Sequence, residues 1–439
     1  MKKQFTLSPI FSDNMIFQAD KPIRIFGQCK KGIDLSISFL DQELKIRTNT
    51  DSFLFELNPV SYRDKGFSFT LYTKKQEHTI YHCVIGDVFL IIGGKNVYMP
   101  LKDSYHKPDY HEANVRYLNL NKSLDEDNKF TDIAKWEISG IDDLDNFSAL
   151  GYVFAKQLHT LAKVPIGVVT ANNLETSIFS WMSSKEIHSH IEVAEYIKRI
   201  GTDVETRKMN PTLFFEEMVS KLIPISFKAI IFYQGENDHH NIKLYGISLT
   251  RIIQAYRIYF RDPEIPFIMV QLPGYAYKDS IDDNVSLIRQ IQANIMSDEK
   301  KIFMVPAIDL GEEDNQYLKE KHKLVKRLVS LVLEKVYRVA KSTLSPMYYS
   351  HSVQDDSLVI FTKNNYLNLV SHSRKNLGFS SSVDGITFTP IENVRLQNNQ
   401  IVIKGIEGIK EIKYAYDDYP VCDIYTTNEL PLLPFKITI

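Results

Sequence analysis

The stretch VIGDVFLIIGGKNVYMPL, residues 84–101, combines a buried strand with an abrupt turn. The apolar run VFLII at 88–92 stops at Gly93 and Gly94, and Lys95 follows before apolar residues return. An apolar run of this length that ends at glycines is typical of a strand covered on both faces. The sequence therefore predicts a buried strand, a glycine turn, and a lone cation just past the end of the strand.

Strands and helices alternate on the C-terminal side of this stretch. Apolar runs of strand length occur in turn with segments whose apolar residues recur at helical spacing. This alternation indicates a parallel sheet covered by helices on both faces. The predicted strands are VPIGVVTA (164–171), FKAIIFYQG (227–235), PFIMVQLPG (266–274) and IFMVPAIDLG (302–311), and the predicted helices are 150–163, 211–224, 244–261 and 319–340.

Short strands dominate both ends of the chain. KPIRIFGQ, DLSISFL and SFLFEL occur near the N-terminus, and SLVIFTK, QIVIKG and EIKYAY occur near the C-terminus. Short strands separated by turn residues are typical of small β-sandwiches. The predicted fold class is therefore α/β. It has an α/β/α sandwich with a parallel central sheet at 86–340, an N-terminal β domain at 1–85 and a C-terminal β domain at 341–439.

Composition and charge exclude several classes of protein. The chain has 439 residues, 44% of them hydrophobic, and a formal net charge of -2. This hydrophobic content is sufficient for a folded protein with hydrophobic cores. The chain has no excess of basic residues that would favour a nucleic-acid or membrane partner. The charged run KEKHKLVKR at 319–327 is interpreted as the solvated face of a helix.

The three cysteines, Cys29, Cys83 and Cys422, lie far apart in the sequence. Their odd number excludes a complete disulfide framework, and no spacing suggests zinc, so we expect reduced structural thiols, no metal and no cofactor. The adjacent His239 and His240 are interpreted as polar loop residues. The N-terminus has two lysines without a following apolar segment, so we expect a cytoplasmic location.

Several blocks of the chain together carry a family resemblance. They are IFSDNMIFQADKPIRIFG (10–27), VIGDVFL (84–90), FSALGYVFAKQL (147–158), VPIGVV (164–169), FYQGEN (232–237), PFIMVQLPGY (266–275), LIRQIQA (287–293), AIDLG (307–311) and IKYAYDDYPVCDIYTTNELPLLPF (412–435). In order and spacing they resemble the bacterial sialate O-acetylesterase family, a carbohydrate-esterase branch of the SGNH hydrolases. The resemblance covers nearly the whole chain and implies the SGNH-hydrolase-like α/β/α fold.

The resemblance also shows where the catalytic pattern has changed. The nucleophilic serine of the family falls on Lys95, and the general-base histidine falls on Tyr317. The stretch that supplies oxyanion donors in the family has Leu174 and Glu175 here. A serine hydrolase needs a nucleophile, a base and oxyanion donors. A tyrosine ordinarily ionises only near pH ~10, so it is a poor base at neutral pH.

Other positions of the pattern are retained. Asn237 matches the oxyanion donor of the broader SGNH pattern, and Asp314 stands at the family's distance before the base position. The resemblance implies four residues that bind substrate or line the cleft: Gln234, Glu236, Arg289 and Gln292. A purely structural role for these four is left open. The pair Glu236 and Asp238 also suits loop orientation better than glycosidase chemistry.

Two functions follow from these positions. The first is a family member that has lost serine-esterase catalysis and that binds a glycan, such as sialic acid or another acetylated sugar, or a protein partner. The alternative is an active O-acetylesterase on acetylated sialic acid or a related carbohydrate. That enzyme would use substitute residues, with His322, His239 or His240 as the base.

A final prediction concerns the lone cation itself. Lys95 begins a predicted helix, where the helix dipole disfavours a cation, and a nearby carboxylate would offset that cost. The sequence therefore predicts that Lys95 pairs with Glu175 across the former oxyanion position; the alternative is that both side chains point to solvent. Glu236 is the second choice of partner.

Overall fold

The computed structural model describes residues 3–107, 112–120, 135–140, 144–200, 211–277, 284–339, 344–364, 367–373, 377–397 and 399–439. These residues form two compact units, which are described separately. The first unit comprises Met1–Gln234, Ser248–Phe267 and Lys319–Lys321. The second comprises Gly235–Ile247, Ile268–Leu318 and His322–Ile439.

The helices have the following bounds: α1 Lys95–Tyr98, α2 Ala149–Ala162, α3 Ser184–His188, α4 Ile191–Ile200, α5 Ser220–Leu222, α6 Ile242–Tyr259, α7 Asn284–Ile295 and α8 His322–Lys335. One turn of π-helix, Phe215–Val219, leads into α5. In the described part of the chain, none of the helices combines the length and the apolar character that crossing a bilayer requires.

The strands of the first unit are β1 Phe5–Leu7, β2 Ile16–Gln18, β3 Ile23–Cys29, β4 Asp34–Phe39, β5 Gln42–Arg47, β6 Ser52–Leu57, β7 Arg63–Tyr72, β8 Glu77–Gly93, β9 Glu112–Asn119, β10 Glu137–Ser139, β11 Ile166–Asn172 and β12 Ala229–Tyr233. Strands β1, β3 and β6 form a three-stranded antiparallel sheet. The other strands gather around β8.

Strand β8 is 17 residues long and has two different sets of neighbours. Its first half pairs with β7 in antiparallel fashion and with the short parallel strand β2. Its second half pairs in parallel with β11 on one side and with β12 on the other. The predicted domain boundary at residue 85 therefore falls inside a continuous strand, because Ile85 pairs with both Phe17 and Arg63.

The sheet around the second half of β8 has the order β10-β9-β11-β8-β12 within the first unit. Strands β9, β11, β8 and β12 are parallel, and β10 is added to the edge in antiparallel fashion. Every residue from Cys83 to Gly93 is buried. The predicted parallel sheet with strands buried on both faces is confirmed.

Helix α2 shows how local sequence sets an element that covers this sheet. The hydroxyl of Ser148 accepts a hydrogen bond from the backbone N–H of Gly151 and so caps the helix. The helix ends where Lys163 takes a left-handed conformation with φ 57°. Its buried side chains, which include Leu150, Phe154 and Leu158, recur at helical spacing. The helix predicted at 150–163 is thus confirmed to within one residue at each end.

The strands of the second unit are β13 Phe267–Val270, β14 Ile302–Val305, β15 Met347–Gln354, β16 Ser357–Lys363, β17 Leu369–Ser371, β18 Phe379–Ser382, β19 Thr389–Pro390, β20 Val394–Gln397, β21 Gln400–Lys404, β22 Glu411–Tyr414, β23 Ile424–Thr426 and β24 Phe435–Thr438. From β15 onward they form sheets in the orders β15-β16-β21-β20, β19-β18-β22-β24 and β17-β23. They enclose one core that includes Ile360, Phe379 and Tyr414. The strands predicted in the C-terminal part of the chain are confirmed.

Two interpretations of the sequence around residue 320 need correction. The predicted helix at 319–340 is shorter, since α8 spans His322–Lys335. The charged run at 319–327 is not simply a solvated face. Lys321 is fully buried, although Lys323 and Lys326 are exposed. The exposure of Lys323 and Lys326 could be predicted because it follows from their spacing along the helix. The burial of Lys321 could not be predicted, because it depends on residues that are distant in the sequence.

Candidate functional site

Three parallel strands of the first unit end at the same level. Gly93 at the end of β8 lies opposite Asn172 of β11 and Tyr233 of β12. The loops that follow therefore leave the sheet side by side, at the carboxyl ends of the strands, where ligands bind in open α/β sheets. The residues just beyond these ends include Lys95, Glu175 and Gln234.

The turn after β8 requires a glycine. A Cβ atom at Gly93 would lie 1.9 Å from the backbone oxygen of Tyr233, which real side chains cannot do. The N–H of Gly94 donates to that same oxygen at 3.1 Å, and α1 begins at the next residue. The two glycines thus let the chain turn sharply against β12 and present the side chain of residue 95 at the start of a helix.

Lys95 is the first residue of the four-residue helix α1, and its side chain is half-buried. Its backbone oxygen accepts a hydrogen bond from the N–H of Met99 at 2.9 Å. The strand, the glycine turn and the short helix predicted around this residue are confirmed. The position carries an ammonium group, which donates hydrogen bonds and accepts none.

A second cation lies beneath this turn, and the sequence analysis did not single it out. The ammonium of Lys321 is 3.3 Å from the backbone oxygen and 3.4 Å from the side-chain oxygen of Asn96. Both residues are fully buried. A buried ammonium needs such acceptors, because burial without partners is costly. Lys321 therefore positions the turn that carries Lys95.

The segment of Lys321 is itself fixed by a histidine. The backbone N–H of Lys321 donates to Nε2 of His106 at 3.0 Å, and this nitrogen lies 3.5 Å from a carboxylate oxygen of Glu320. His106 is largely buried. In the sequence, Lys321 stands in a charged run and His106 lies far from it, so sequence alone cannot distinguish these two residues from solvated ones.

The loop after β11 carries Leu174 and Glu175, the residues predicted to stand where the family has its oxyanion donors. Glu175 is half-buried and Leu174 is exposed, whereas Thr176 is buried. The amide of Gln234 donates to the backbone oxygen of Thr176 at 3.4 Å, so the loop after β11 is tied to the end of β12. Gln234 is fully buried in this arrangement. The pairing of Lys95 with Glu175 or Glu236 stays a prediction.

In the second unit, residues 235–241 form turns that lead into α6. Gly235 has φ 134°, a conformation that favours glycine, and its backbone oxygen accepts a hydrogen bond from the N–H of Asp238 at 3.1 Å. Glu236 and Asp238 are buried, and Asn237 between them is half-buried. Buried carboxylates on a tight turn suit loop orientation, the role that the sequence analysis favoured.

The buried Tyr245 and the half-buried Tyr277 lie near these carboxylates. The pKa of Tyr245 is well above its ordinary value because of burial and the charges of Asp238 and Glu236. The amide of Gln292 donates to its hydroxyl at 3.0 Å. Burial and the charge of Glu236 also raise the pKa of Tyr277, whose ring lies 5.2 Å from that of His239. Both phenols therefore stay protonated in the ordinary pH range.

Arg289 is fully buried and binds four backbone oxygens. Its guanidinium donates to Leu272 at 3.0 Å, Pro273 at 2.7 Å, Asp417 at 2.7 Å and Asp418 at 2.8 Å. Four of the five N–H groups of the side chain are thus used within the second unit. These contacts give Arg289 a structural role, and substrate binding by Arg289 stays a prediction.

Gln292 also has structural contacts in the second unit. Its side-chain oxygen accepts a hydrogen bond from the N–H of Leu272 at 3.3 Å, and only 2% of its surface is exposed. Gln292 therefore joins α7 to the segment after β13 and to Tyr245. Its predicted contact with substrate is not tested by these bonds.

The segment of the predicted base lies in the second unit before α8. Tyr317 is half-buried, and its backbone N–H donates to the side chain of Asn315 at 3.0 Å. Asp314 is exposed, and within the described residues its carboxylate accepts no hydrogen bond. His322 is the exposed first residue of α8. In the described structure Asp314 therefore does not orient Tyr317 as an aspartate orients a catalytic histidine.

The histidines proposed as substitute bases differ in exposure. His239 is largely buried, and its Nδ1 lies 3.3 Å from the backbone oxygen of Glu236. His240 is exposed, and the two rings are 4.0 Å apart between centroids. The arrangement is that of a folded loop, and the geometry by itself assigns neither ring a catalytic role.

Comparison with known structures identifies the fold. A carbohydrate acetylesterase from Xanthomonas citri is similar over 99% of both chains, with a TM-score of 0.85 and 19% identity. A family two carbohydrate esterase from Clostridium thermocellum, solved with cellohexaose, has a TM-score of only 0.31 and 10% identity. It covers 73% of this chain and 94% of that chain. The fold is that of an SGNH-type carbohydrate esterase.

The family follows from the sequence match. The model of the family described as carbohydrate esterase, sialic acid-specific acetylesterase, matches residues 86–334. The chain belongs to this family, as the resemblance predicted. A search of curated proteins found no significant match. The roles assigned to individual site residues remain predictions.

Proposed function

We propose that this carbohydrate-esterase family member has lost serine-esterase catalysis and acts by binding a glycan. The observation that carries the proposal is Lys95, which stands at the start of α1 directly after the glycine turn. At that position the family pattern has its nucleophilic serine. An ammonium is no nucleophile while it is protonated, and it has no hydroxyl to activate.

Two further observations support the loss of catalysis. Glu175 follows the end of β11, and a carboxylate near a developing oxyanion would raise the barrier of ester hydrolysis. In the described residues, the exposed Asp314 makes no hydrogen bond that would orient a base at Tyr317. Nucleophile, oxyanion stretch and base position are therefore all unsuited to serine chemistry.

A glycan ligand is supported by the family and by the charge of the turn. The family is described as sialic acid-specific, and the half-buried ammonium of Lys95 offers a donor for a carboxylate such as that of sialic acid. A protein partner is the other occupant that the same surface could take. We also propose a cytoplasmic location, which the odd number of cysteines supports.

An acetyl-ester assay tests the loss of catalysis. The purified protein is compared with an active family member on 4-nitrophenyl acetate and on O-acetylated sialic acid, with Lys95→Ala as the reference variant. We expect the protein and its variant to give the same background rate. Turnover within about a hundredfold of the active relative that disappears in Lys95→Ala would establish the alternative, an esterase with substitute residues.

A reversal variant makes the same test sharper. Lys95→Ser restores the hydroxyl but leaves Tyr317 and Glu175 in place, so we expect no esterase activity. Recovery of activity in this single variant would show that a base is still present, and the proposal would then be wrong.

A ligand titration tests the binding part. Free sialic acid is added to the protein and to Lys95→Ala, and amide chemical shifts are followed by NMR. Saturable shifts that weaken in the variant are expected. An absence of response up to millimolar ligand would remove sialic acid as the ligand of Lys95, while the esterase assay would still decide the catalytic question.

A further inference from the structure

The first unit contains a cleft of about 860 Å³, and its lining residues do not include those at the strand ends described above. One wall comes from the antiparallel sheet of β1, β3 and β6, and the other includes residues 220–224 and Arg261. Residues 220–224 precede β12, whereas Lys95 and Gln234 follow the carboxyl ends of their strands. This basic cleft, as we call it, is thus separate from the candidate site at Lys95.

The walls of the basic cleft carry charge of one sign. They include Lys3, His78, Lys135, Lys221 and Arg261, and none of the described lining residues is acidic. The whole chain has a formal net charge of -2, so this positive charge is a local concentration. A concave surface with charge of one sign focuses its field and attracts ligands of the opposite charge.

Two of these cations are available to a ligand. Lys3 and Lys135 are exposed, and among the described residues neither has an ion-pair or hydrogen-bond partner. Arg261 lies 3.7 Å from Glu56, but that carboxylate also pairs with Arg24 at 2.7 Å. A single carboxylate between two guanidinium groups leaves the neighbourhood of Arg261 positive.

The two walls are held together from within. Arg24 on β3 is largely buried and donates to the backbone oxygens of Pro224 at 3.5 Å and Phe260 at 3.4 Å. It also donates to the hydroxyl of Ser226 at 3.3 Å. The contacts connect the small sheet to the opposite wall, so the cleft is formed in advance of any ligand.

The floor of the cleft is aromatic. Phe26 is half-buried, and its ring lies 5.2 Å from that of the buried Phe11. Phe5 and Phe53 are buried beside them, and the exposed amide of Gln28 lies on the rim. A volume between about 300 and 1,000 Å³ is typical of small-molecule sites, and the lining of this cleft combines apolar rings with many polar groups.

We propose that the basic cleft binds an acidic oligosaccharide. Its carboxylates would meet the ammonium groups of Lys3 and Lys135, and the apolar face of a sugar ring would pack against Phe26. Charge alone would suit any anion, whereas the half-buried ring of Phe26 offers an apolar surface that suits a sugar ring. The proposal does not depend on whether the positions around Lys95 are catalytic.

The test compares an acidic sugar with its neutral core. Sialyllactose and lactose are titrated by calorimetry into the Lys95→Ala protein, so that binding at the candidate site does not contribute. The cleft variant is Lys3→Glu with Lys135→Glu. The matched control is Lys363→Glu with Lys404→Glu, two exposed lysines on β16 and β21 of the second unit. Circular dichroism confirms that all variants are folded.

We expect sialyllactose to bind, lactose to bind at least tenfold more weakly, and the cleft variant to lose at least tenfold in sialyllactose affinity. The control variant should retain the affinity, and binding should weaken as salt is added. Equal binding of lactose, an unchanged affinity in the cleft variant, or an equal loss in the control would each overturn the proposal. Displacement of sialyllactose by pyrophosphate at equal concentration would show a site for bare anions and would overturn it as well.

Discussion

Arg289 in the second unit and Lys321 in the first are both fully buried cations beside loops that follow strands of the sheet. The guanidinium of Arg289 donates four bonds of 2.7–3.0 Å to two separate segments, 272–273 and 417–418. Among the contacts of the Lys321 ammonium are two longer ones, 3.3 and 3.4 Å, to oxygens of Asn96. The first cation connects two parts of the chain, and the second supports one turn.

The difference follows from the chemistry of the two side chains. A guanidinium is planar and holds five donors in fixed directions, so it can satisfy several carbonyl groups at once. An ammonium is a compact charge on a flexible stem. We infer that structure in the second unit depends strongly on Arg289, whereas Lys321 contributes less and acts mainly on the turn that carries Lys95.

The largest expected effect is that of Arg289→Ala. The change leaves four carbonyl groups, two of them buried, without their donor and opens a cavity, so we expect the free energy of unfolding to fall by about 4 kcal/mol. Urea unfolding followed by circular dichroism measures it. Arg289→Lys keeps the charge but not the planar arrangement of several donors. We therefore expect the free energy of unfolding to fall by about half as much as in Arg289→Ala. A lysine variant as stable as the parent would show that charge alone matters at this position.

A smaller effect is expected for Lys321→Met. The substitution keeps the length of the side chain but leaves the two oxygens of Asn96 without this donor, so we expect a loss of about 2 kcal/mol. Lys323→Met, at an exposed position, is the matched control and should change stability by about 0.5 kcal/mol or less. Equal effects of the two variants would contradict the support of the turn by Lys321.

A buried thiol in the first unit makes the stability of the protein sensitive to alkaline pH. Burial raises the pKa of Cys83 from 9.0 to about 12, and the nearby charge of Arg116 acts in the opposite direction. The folded state therefore keeps a proton that the unfolded state releases above pH 9.0. The stabilisation is complete below that pH and is lost as the pH rises to about 12.

We therefore expect the free energy of unfolding to decrease between about pH 9 and about pH 11. The decrease should be less steep in Cys83→Ala, as urea unfolding at several pH values will measure. If the slopes are equal, the alkaline loss arises elsewhere, and the lysines of the first unit become the groups to test.

The smallest expected effect concerns the predicted pair of Lys95 and Glu175. A double-mutant cycle with Lys95→Ala and Glu175→Ala should give a coupling energy of about 0–1 kcal/mol, because both side chains are only half-buried. The same cycle with Glu236→Ala examines the second choice of partner. A coupling energy well above this range would mean that an ion pair of Lys95 stabilises the turn in addition to the contacts of Lys321.

The parallel sheet, the main helices and the glycine turn could be predicted because they depend on local periodicity. The run at 88–92 is buried on both faces, and Ser148 and Lys163 begin and end α2 by local rules. Other elements were missed, namely the helices α3, α4 and α7, the internal strand β9 and the edge strand β10. The periodicity of these segments is weak in the sequence, and their stability comes from packing.

The sequence by itself determined that this protein has the carbohydrate-esterase fold, and that a lysine, Lys95, directly follows the two glycines after the buried strand. Spacing and residue identity carry that information. Only the tertiary structure decided that Gly93 is required by the oxygen of Tyr233, and that the cations Arg289 and Lys321 are buried. These properties depend on which distant atoms surround a residue. The sequence of a charged run does not distinguish a lysine whose side chain is exposed to solvent from one whose side chain is buried beneath a turn.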